Sequence, residues 1–177
     1  IAFTPTPEEI AGVAMAHIQG VPDAVGSFGQ GREGDPLMVA DTLCAAIRSI
    51  RAQTRQGTIN MNTNGSLPDK MAALIEAGLD SVRISLNSVR QSCYEAYYRP
   101  KGYAWQDVVA TIDLALGRGA HVAINYLNCP GFTDAPGERD ALLAFLHAHP
   151  IQMIQWRNLN FDPLRYLKIM EDIRPLG

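Results

Sequence analysis

Two apolar rhythms alternate along the chain. Stretches with apolar residues three or four positions apart, such as 7–19, predict amphipathic helices, and short stretches with every second residue apolar predict strands. Helix punctuation marks the boundaries. Thr6-Pro7-Glu8-Glu9 offers a capping hydroxyl, a proline in the first turn and acids at the positive end of the helix dipole. That helix should run to about Gln19 and end at Gly20, with a strand at 24–28. Asp35-Pro36 reads as the cap and first turn of a second helix reaching about Gln56. Gly57 leads into a strand at 58–63, closed by Asn64-Gly65, and a helix at 68–77 ends at Gly78, a residue suited to the left-handed position beyond a helix. A strand at 81–86, helices at 89–97 and 104–116, a strand at 121–127, a helix at 137–148, a strand at 151–159 and a helix at 163–173 follow.

Five strands alternating with helices predict parallel βαβ units with right-handed crossovers, an α/β fold. A parallel strand covered by helices on both faces is almost wholly apolar, but these strands are two-faced. Asn60, Asn62 and Asn64 alternate with Ile59, Met61 and Thr63, and Arg83, Ser85 and Asn87 alternate with Val82, Ile84 and Leu86. Helices would cover the apolar face, and the polar face would line a TIM-like barrel interior that holds a ligand. An antiparallel sheet with one wet face gives the same alternation, but the intervening helices argue against it. Polar residues also gather where strands give way to helices: Gln30, Glu33 and Asp35, then Asn125 and Asn128, then Asn158 and Asn160. Sites in α/β folds lie on that edge.

Composition narrows the function classes. The chain has 177 residues, 47% of them hydrophobic, and a net charge of −3, as expected for one soluble domain spanning 1–177. No basic stripe suggests nucleic acid, no run is apolar enough to span a membrane, and no signal peptide is evident. Cys44, Cys93 and Cys129 lie far apart, which fits neither a disulfide framework nor a metal knuckle and points to a reducing cytoplasm. Cys44 falls on a helical apolar face, and Cys129, before Pro130-Gly131, is the cysteine expected near a site. Met15, Met38 and Met71 read as core residues. Gly29, Gly31 and Gly34 spell G-x-G-x-x-G, but Gly34 precedes a helix start instead of packing within one. The acid expected about 20 residues further on in a dinucleotide fold is missing, and no Gly-Lys-Ser/Thr follows as in a phosphate-binding loop.

The loop does not stand alone. Glu33-Gly34-Asp35-Pro36-Leu37 resembles the Gly-Gly-Glu-Pro element of radical S-adenosylmethionine (SAM) enzymes. Asn62-Thr63-Asn64-Gly65 is similar to their Thr-Asn-Gly, 81–87 to their Ile-Ser-Leu-Asp strand, and Arg99 falls where an arginine often follows that strand. The resemblance implies a partial (β/α)6 TIM-like barrel with its first strand missing, which binds SAM. Implied cofactor-binding positions are Gly31, Glu33, Gly34, Asp35, Asn64, Ser85, Asn87, Arg99 and Asn125. Asp35 would receive the methionyl ammonium, with Glu33 sharing the contact. Ser85 and Arg99 would hold the carboxylate, for which a planar guanidinium is suited. Asn64, Asn87 and Asn125 would meet ribose or substrate, or else cap helices.

In this family a Cys-x3-Cys-x2-Cys loop holds a [4Fe–4S] cluster, and no such motif occurs here. The chain starts at what would be the helix after that loop, as in a fragment or in a relative without the cluster. The strand at 24–28 would then have an open edge, covered by the N-terminal helix or by a second chain in a dimer. The leading expectation is the SAM- and substrate-binding body of a radical SAM enzyme, inactive by itself. A cluster-free barrel that binds a small molecule or serves as a regulatory module is the alternative. An aldolase- or isomerase-type barrel fits less well, because the strands carry no lysine and His121 falls at a strand start. The substrate, a small molecule or peptide, is not defined; Asn125, Asn128, Arg157, Asn158 and Asn160 are its candidate contacts.

Overall fold

The computed structural model describes residues 4–29 and 34–171. Gln30, Gly31, Arg32 and Glu33 lie outside the described residues, as do the last two positions of the helix expected at 163–173. The elements are α1 (Pro7–Gly20), β1 (Val25–Phe28), a 3-10 turn (Pro36–Val39), α2 (Ala40–Gln53), β2 (Thr58–Thr63), α3 (Pro68–Ala77), β3 (Ser81–Leu86), α4 (Gln91–Tyr98), α5 (Trp105–Gly117), β4 (His121–Asn128), α6 (Pro136–Ala148), β5 (Met153–Asn158) and α7 (Pro163–Glu171). The strands form one parallel sheet in the order β1-β2-β3-β4-β5. The antiparallel alternative is thereby excluded. No pairing joins β1 to β5, so the sheet is an open, partial barrel among the described residues.

The two-faced strands set the layering. Met61, Val82, Ile84, Leu86, Val122 and Ile124 are all 0% exposed and form the core beneath the helices. The alternate residues face the other way, onto the concave side of the sheet. Asn60 Nδ2 donates to Ser27 Oγ (2.7 Å) and Ser81 Oγ donates to Asn60 Oδ1 (2.6 Å), a belt linking β1, β2 and β3 at the lower level of that face. Met38, expected in the core, is 75% exposed on the 3-10 turn.

The segment after β1 departs from the single helix expected from Pro36 to about Gln56. Asp35 caps a 3-10 turn first, α2 begins only at Ala40, and it stops at Gln53. Arg51 explains the early stop. Its guanidinium donates to the carbonyls of Gln56 (3.1 Å), Gly57 (3.3 Å) and Gly78 (3.1 Å) and pairs with Asp80. Asp80 in turn accepts from the Ile59 amide at 2.7 Å. The chain after α2 is therefore drawn into an extended turn that fixes the starts of β2 and β3.

Helix α1 has the capping box expected at Thr6 and Glu9, and it packs Ala11, Met15 and Ile18 into the core. It lies against α2 and beside β1 but does not seal the edge strand. An apolar groove of about 890 Å³ opens between α1 and β1, and Val25 is 56% exposed. Among the described residues no helix is long and apolar enough to cross a membrane.

Glu138 in α6 is 2% exposed and accepts from Ser88 Oγ at 2.7 Å while pairing with Arg90. It ties the turn after β3 to α6. Glu138→Ala leaves the buried Ser88 hydroxyl without its acceptor and the one-third exposed Arg90 without its ion-pair partner, and is expected to cost about 1–3 kcal/mol. Calorimetry should show this as a midpoint lower by roughly 5 °C. Gly29 has φ 77°, and a Cβ there would run into the Asn62 carbonyl oxygen. Gly29→Ala is expected to lose about 1–3 kcal/mol, read from urea denaturation.

Candidate functional site

The C-terminal ends of the strands open into a cleft of about 850 Å³. Asp35 builds its β1 side. Asp35 Oδ1 accepts from the Leu37 amide (3.0 Å) and from Thr63 Oγ1 (2.7 Å), and Oδ2 accepts from the Asn64 amide (2.7 Å). The loop after β1 is thus locked to the end of β2. A carboxylate has roughly four acceptor positions, so these three bonds leave one for a ligand. Asn64 forms a local turn, its Oδ1 accepting from the Ser66 amide at 2.9 Å, and still lines the cleft.

Five of the nine positions singled out in the sequence line this one cavity: Gly34, Asp35, Asn64, Ser85 and Asn125. They come from three loops or strand ends and from β4, far apart in sequence. Gly31 and Glu33 are outside the described residues. Two of the nine, Asn87 and Arg99, do not line the cavity. Asn87 is 0% exposed, and its Nδ2 donates to the Cys93 carbonyl (3.0 Å) and to Tyr166 Oη (3.4 Å). The turn after Leu86 aims it into the core under α7, away from the cleft. Arg99 is exposed at the end of α4 in a left-handed conformation (φ 48°) and is not part of the cleft wall. Arg99 follows α4 as its C-cap, and the last turn of the helix presents Tyr97 and Tyr98 to the cleft.

Those tyrosines were legible as letters but not as a wall. Tyr98 packs on Tyr94 with ring centroids 4.7 Å apart, and Tyr97 meets Tyr98 edge-on at 4.9 Å. Burial pushes the Tyr98 phenol well above its usual range, so it serves as a neutral hydrogen-bonding group. Opposite them, β5 contributes Trp156 and Arg157, followed by Asn158 and Asn160. Of the five candidate substrate contacts, Asn125, Arg157, Asn158 and Asn160 line the cleft and Asn128 does not.

The floor of the cleft differs from the belt below it. Asn62 Oδ1 and Asn125 Oδ1 in the cleft lining, and Arg83 Nε and Gln155 Oε1 beside them in the sheet, are buried and have no hydrogen-bond partner among the described residues. All four lie on the concave face, as the register shows: Asn62 pairs with Arg83, and Asn125 with Ser85 and Gln155. Buried polar atoms are ordinarily paired, so this row is built to receive a polar ligand or ordered water.

The cysteines do not supply a cluster site. Cys44, Cys93 and Cys129 are buried on α2, on α4 and after β4. Cys129, expected near the site, is 3% exposed and packs with Phe132 and Tyr166 in a second small core. Among the described residues no group of three or more His, Cys, Asp or Glu is placed to hold a metal ion.

Comparison with known proteins agrees with this architecture. Relatives include the probable GTP 3′,8-cyclase of Aeropyrum pernix, 29% identical over 123 residues, covering 69% of this chain and 33% of the relative. Molybdenum cofactor biosynthesis protein 1 of Drosophila melanogaster is 30% identical over 93 residues, covering 52% of this chain and 16% of that protein. The chain thus spans a third or less of these relatives' lengths. Among solved structures, HydG, a maturase of the [FeFe]-hydrogenase, superposes with a TM-score of 0.61 at 18% identity, covering 92% of this chain and 38% of HydG. Methylornithine synthase (PylB) gives 0.61 at 13% identity, covering 92% of this chain and 47% of the synthase. At these identities the two structures establish the fold alone, a TIM-like α/β barrel. The sequence pattern of the Radical SAM superfamily itself matches residues 2–144, well over half of the chain, and the protein therefore belongs to that superfamily.

Proposed function

We propose that the cleft binds SAM over the ends of β1, β2 and β3 and a substrate over β4 and β5, as part of a radical SAM enzyme. The observation that carries this reading is the convergence of Gly34, Asp35, Asn64, Ser85 and Asn125 on one cavity. The residues fit SAM chemically. The remaining acceptor position of Asp35 suits the methionyl ammonium, and Ser85 suits the carboxylate. Asn64 suits ribose hydroxyls, and the Tyr97–Tyr98 wall suits the adenine face. SAM bound in enzymes of this superfamily supplies a 5′-deoxyadenosyl radical that abstracts hydrogen from substrate. This chain's own residues orient the cofactor and shield the reacting space from water.

Members of the superfamily also use a [4Fe–4S] cluster, and the cysteines of this chain do not fit one. Catalysis in this reading therefore needs cluster ligands from outside residues 1–177. The buried, scattered cysteines are equally compatible with a second reading, a cluster-free barrel that binds a small molecule or serves a regulatory role.

Two measurements separate these readings. The natural polypeptide that carries these residues, reconstituted anaerobically with iron and sulfide, is expected to gain a broad iron–sulfur absorption band and an EPR signal that SAM perturbs. No cluster would leave the binding-module reading standing. Calorimetric titration with SAM tests the cofactor half. Ser85 has no hydrogen-bond partner among the described residues but lines the cleft, so Ser85→Ala should leave the thermal midpoint unchanged while weakening SAM about tenfold. Equal affinities for both proteins would remove Ser85 from the site.

A further inference from the structure

We infer that Arg157 is an anion-recognition point for the substrate, and that the substrate carries one carboxylate or phosphate group together with N–H or O–H donors. The inference rests on the reading of the cleft given above and concerns its β4–β5 half. Arg157 lies on the concave face, paired in register with Leu127 two residues beyond Asn125, and lines the cleft. It makes no hydrogen bond or ion pair with any described residue. Four arginines are paired, Arg51 with Asp80, Arg90 with Glu138, Arg118 with Glu76 and Arg139 with Asp140, and Arg48, Arg55, Arg99 and Arg165 are exposed away from the cleft; Arg157 is the described arginine in the cleft lining. The carboxylate lining the cleft, Asp35, is directed at Leu37, Thr63 and Asn64.

Arg83 adds to the imbalance. It lies on the same face as Ser85, two residues below it, and its buried Nε has no partner among the described residues. The cleft lining thus carries one guanidinium without a partner, Arg157, with the unpartnered Arg83 Nε on the same face of the sheet, and among the described residues no uncommitted carboxylate beyond the last acceptor position of Asp35. Arg157 is exposed at the cleft rim, and its planar guanidinium suits a bidentate oxyanion partner. The unpaired Oδ1 atoms of Asn62 and Asn125, both from residues lining the cleft, accept hydrogen bonds and so select donors on the same ligand. One guanidinium at the rim matches a single anionic group better than the several charges of a triphosphate.

The test uses the tryptophan indole signals in a ¹⁵N-labelled protein. Trp156 adjoins Arg157 on β5 at the cleft edge and is 52% exposed, so its signal reports on that strand end, whereas Trp105 is 7% exposed in the core and serves as the internal control. Inorganic phosphate and acetate, each titrated at constant ionic strength, are expected to shift the Trp156 signal saturably and leave Trp105 in place. Whichever ion binds more tightly assigns the group as phosphate or carboxylate. Arg157→Gln should abolish the shift, or raise the dissociation constant about tenfold or more, while the surface variant Arg139→Gln retains it. No saturable shift, or a shift unchanged in Arg157→Gln, overturns the proposal. So does Arg157-dependent binding of GTP about a hundredfold tighter than phosphate, which would make the ligand a polyphosphate. SAM affinity is measured on the same variants. Loss of SAM binding in Arg157→Gln would assign the residue to the cofactor and overturn the proposal. A normal anion response in a protein that binds no SAM would instead overturn the cofactor reading and leave the Arg157 subsite standing.

Discussion

Three donors converge on the Asp35 carboxylate, two of them from the end of β2 and one from the turn that Asp35 itself begins. Parallel strands are joined only through long crossovers, so nothing local sets the position of the loop after β1 relative to the end of β2. Asp35 sets it. The carboxylate stands where β1, β2 and the 3-10 turn meet, and the backbone amide of Asn64 and the hydroxyl of Thr63 are held by the same bonds. Gly29 completes the arrangement, since the loop passes so close to the Asn62 carbonyl that no side chain fits. The cofactor side of the cleft takes its shape from this junction.

Below the cleft, the concave face is divided into two levels with different chemistry. Ser27, Asn60 and Ser81 bond to one another and close the bottom of the sheet. One step higher, Asn62, Arg83, Asn125 and Gln155 each keep a buried polar atom without a partner. A self-satisfied network rigidifies a fold, whereas an unsatisfied row carries a standing desolvation cost that a bound ligand or water relieves. The division therefore separates a structural base from a receptive floor within one face of one sheet.

Other polar residues serve the scaffold. Arg51 and Asp80 clamp the strand starts, and Glu138 with Ser88 and Arg90 anchors the turn after β3 to α6. Asn87 belongs with this second group. It follows the strand whose Ser85 lines the cleft and keeps the alternation, yet its Nδ2 donates to Cys93 and Tyr166 beneath α7, where its Oδ1 is also buried without a partner. The sheet ends at Leu86, and beyond the last ladder pair the chain turns, so period-two alternation no longer tells which way a side chain faces.

The sequence by itself determined the α/β class, the five strands and their two-faced character, because alternation at period two and capping signals are local properties of the chain. It also pointed to Gly34, Asp35, Asn64, Ser85 and Asn125, since residues at strand ends before helices fall on the edge where such sheets place their sites. Tertiary structure decided what period and spacing do not encode. The helix expected from Pro36 to about Gln56 became a 3-10 turn followed by α2, and α2 stops at Gln53, where Arg51 binds the carbonyls of Gln56, Gly57 and Gly78 and holds the chain out of the helix. Arg99 was set outside the cleft and Tyr97 and Tyr98 within its wall by the point at which α4 ends. Arg157 acquired its distinction only in three dimensions, because whether a charge is paired depends on side chains brought near from distant parts of the chain.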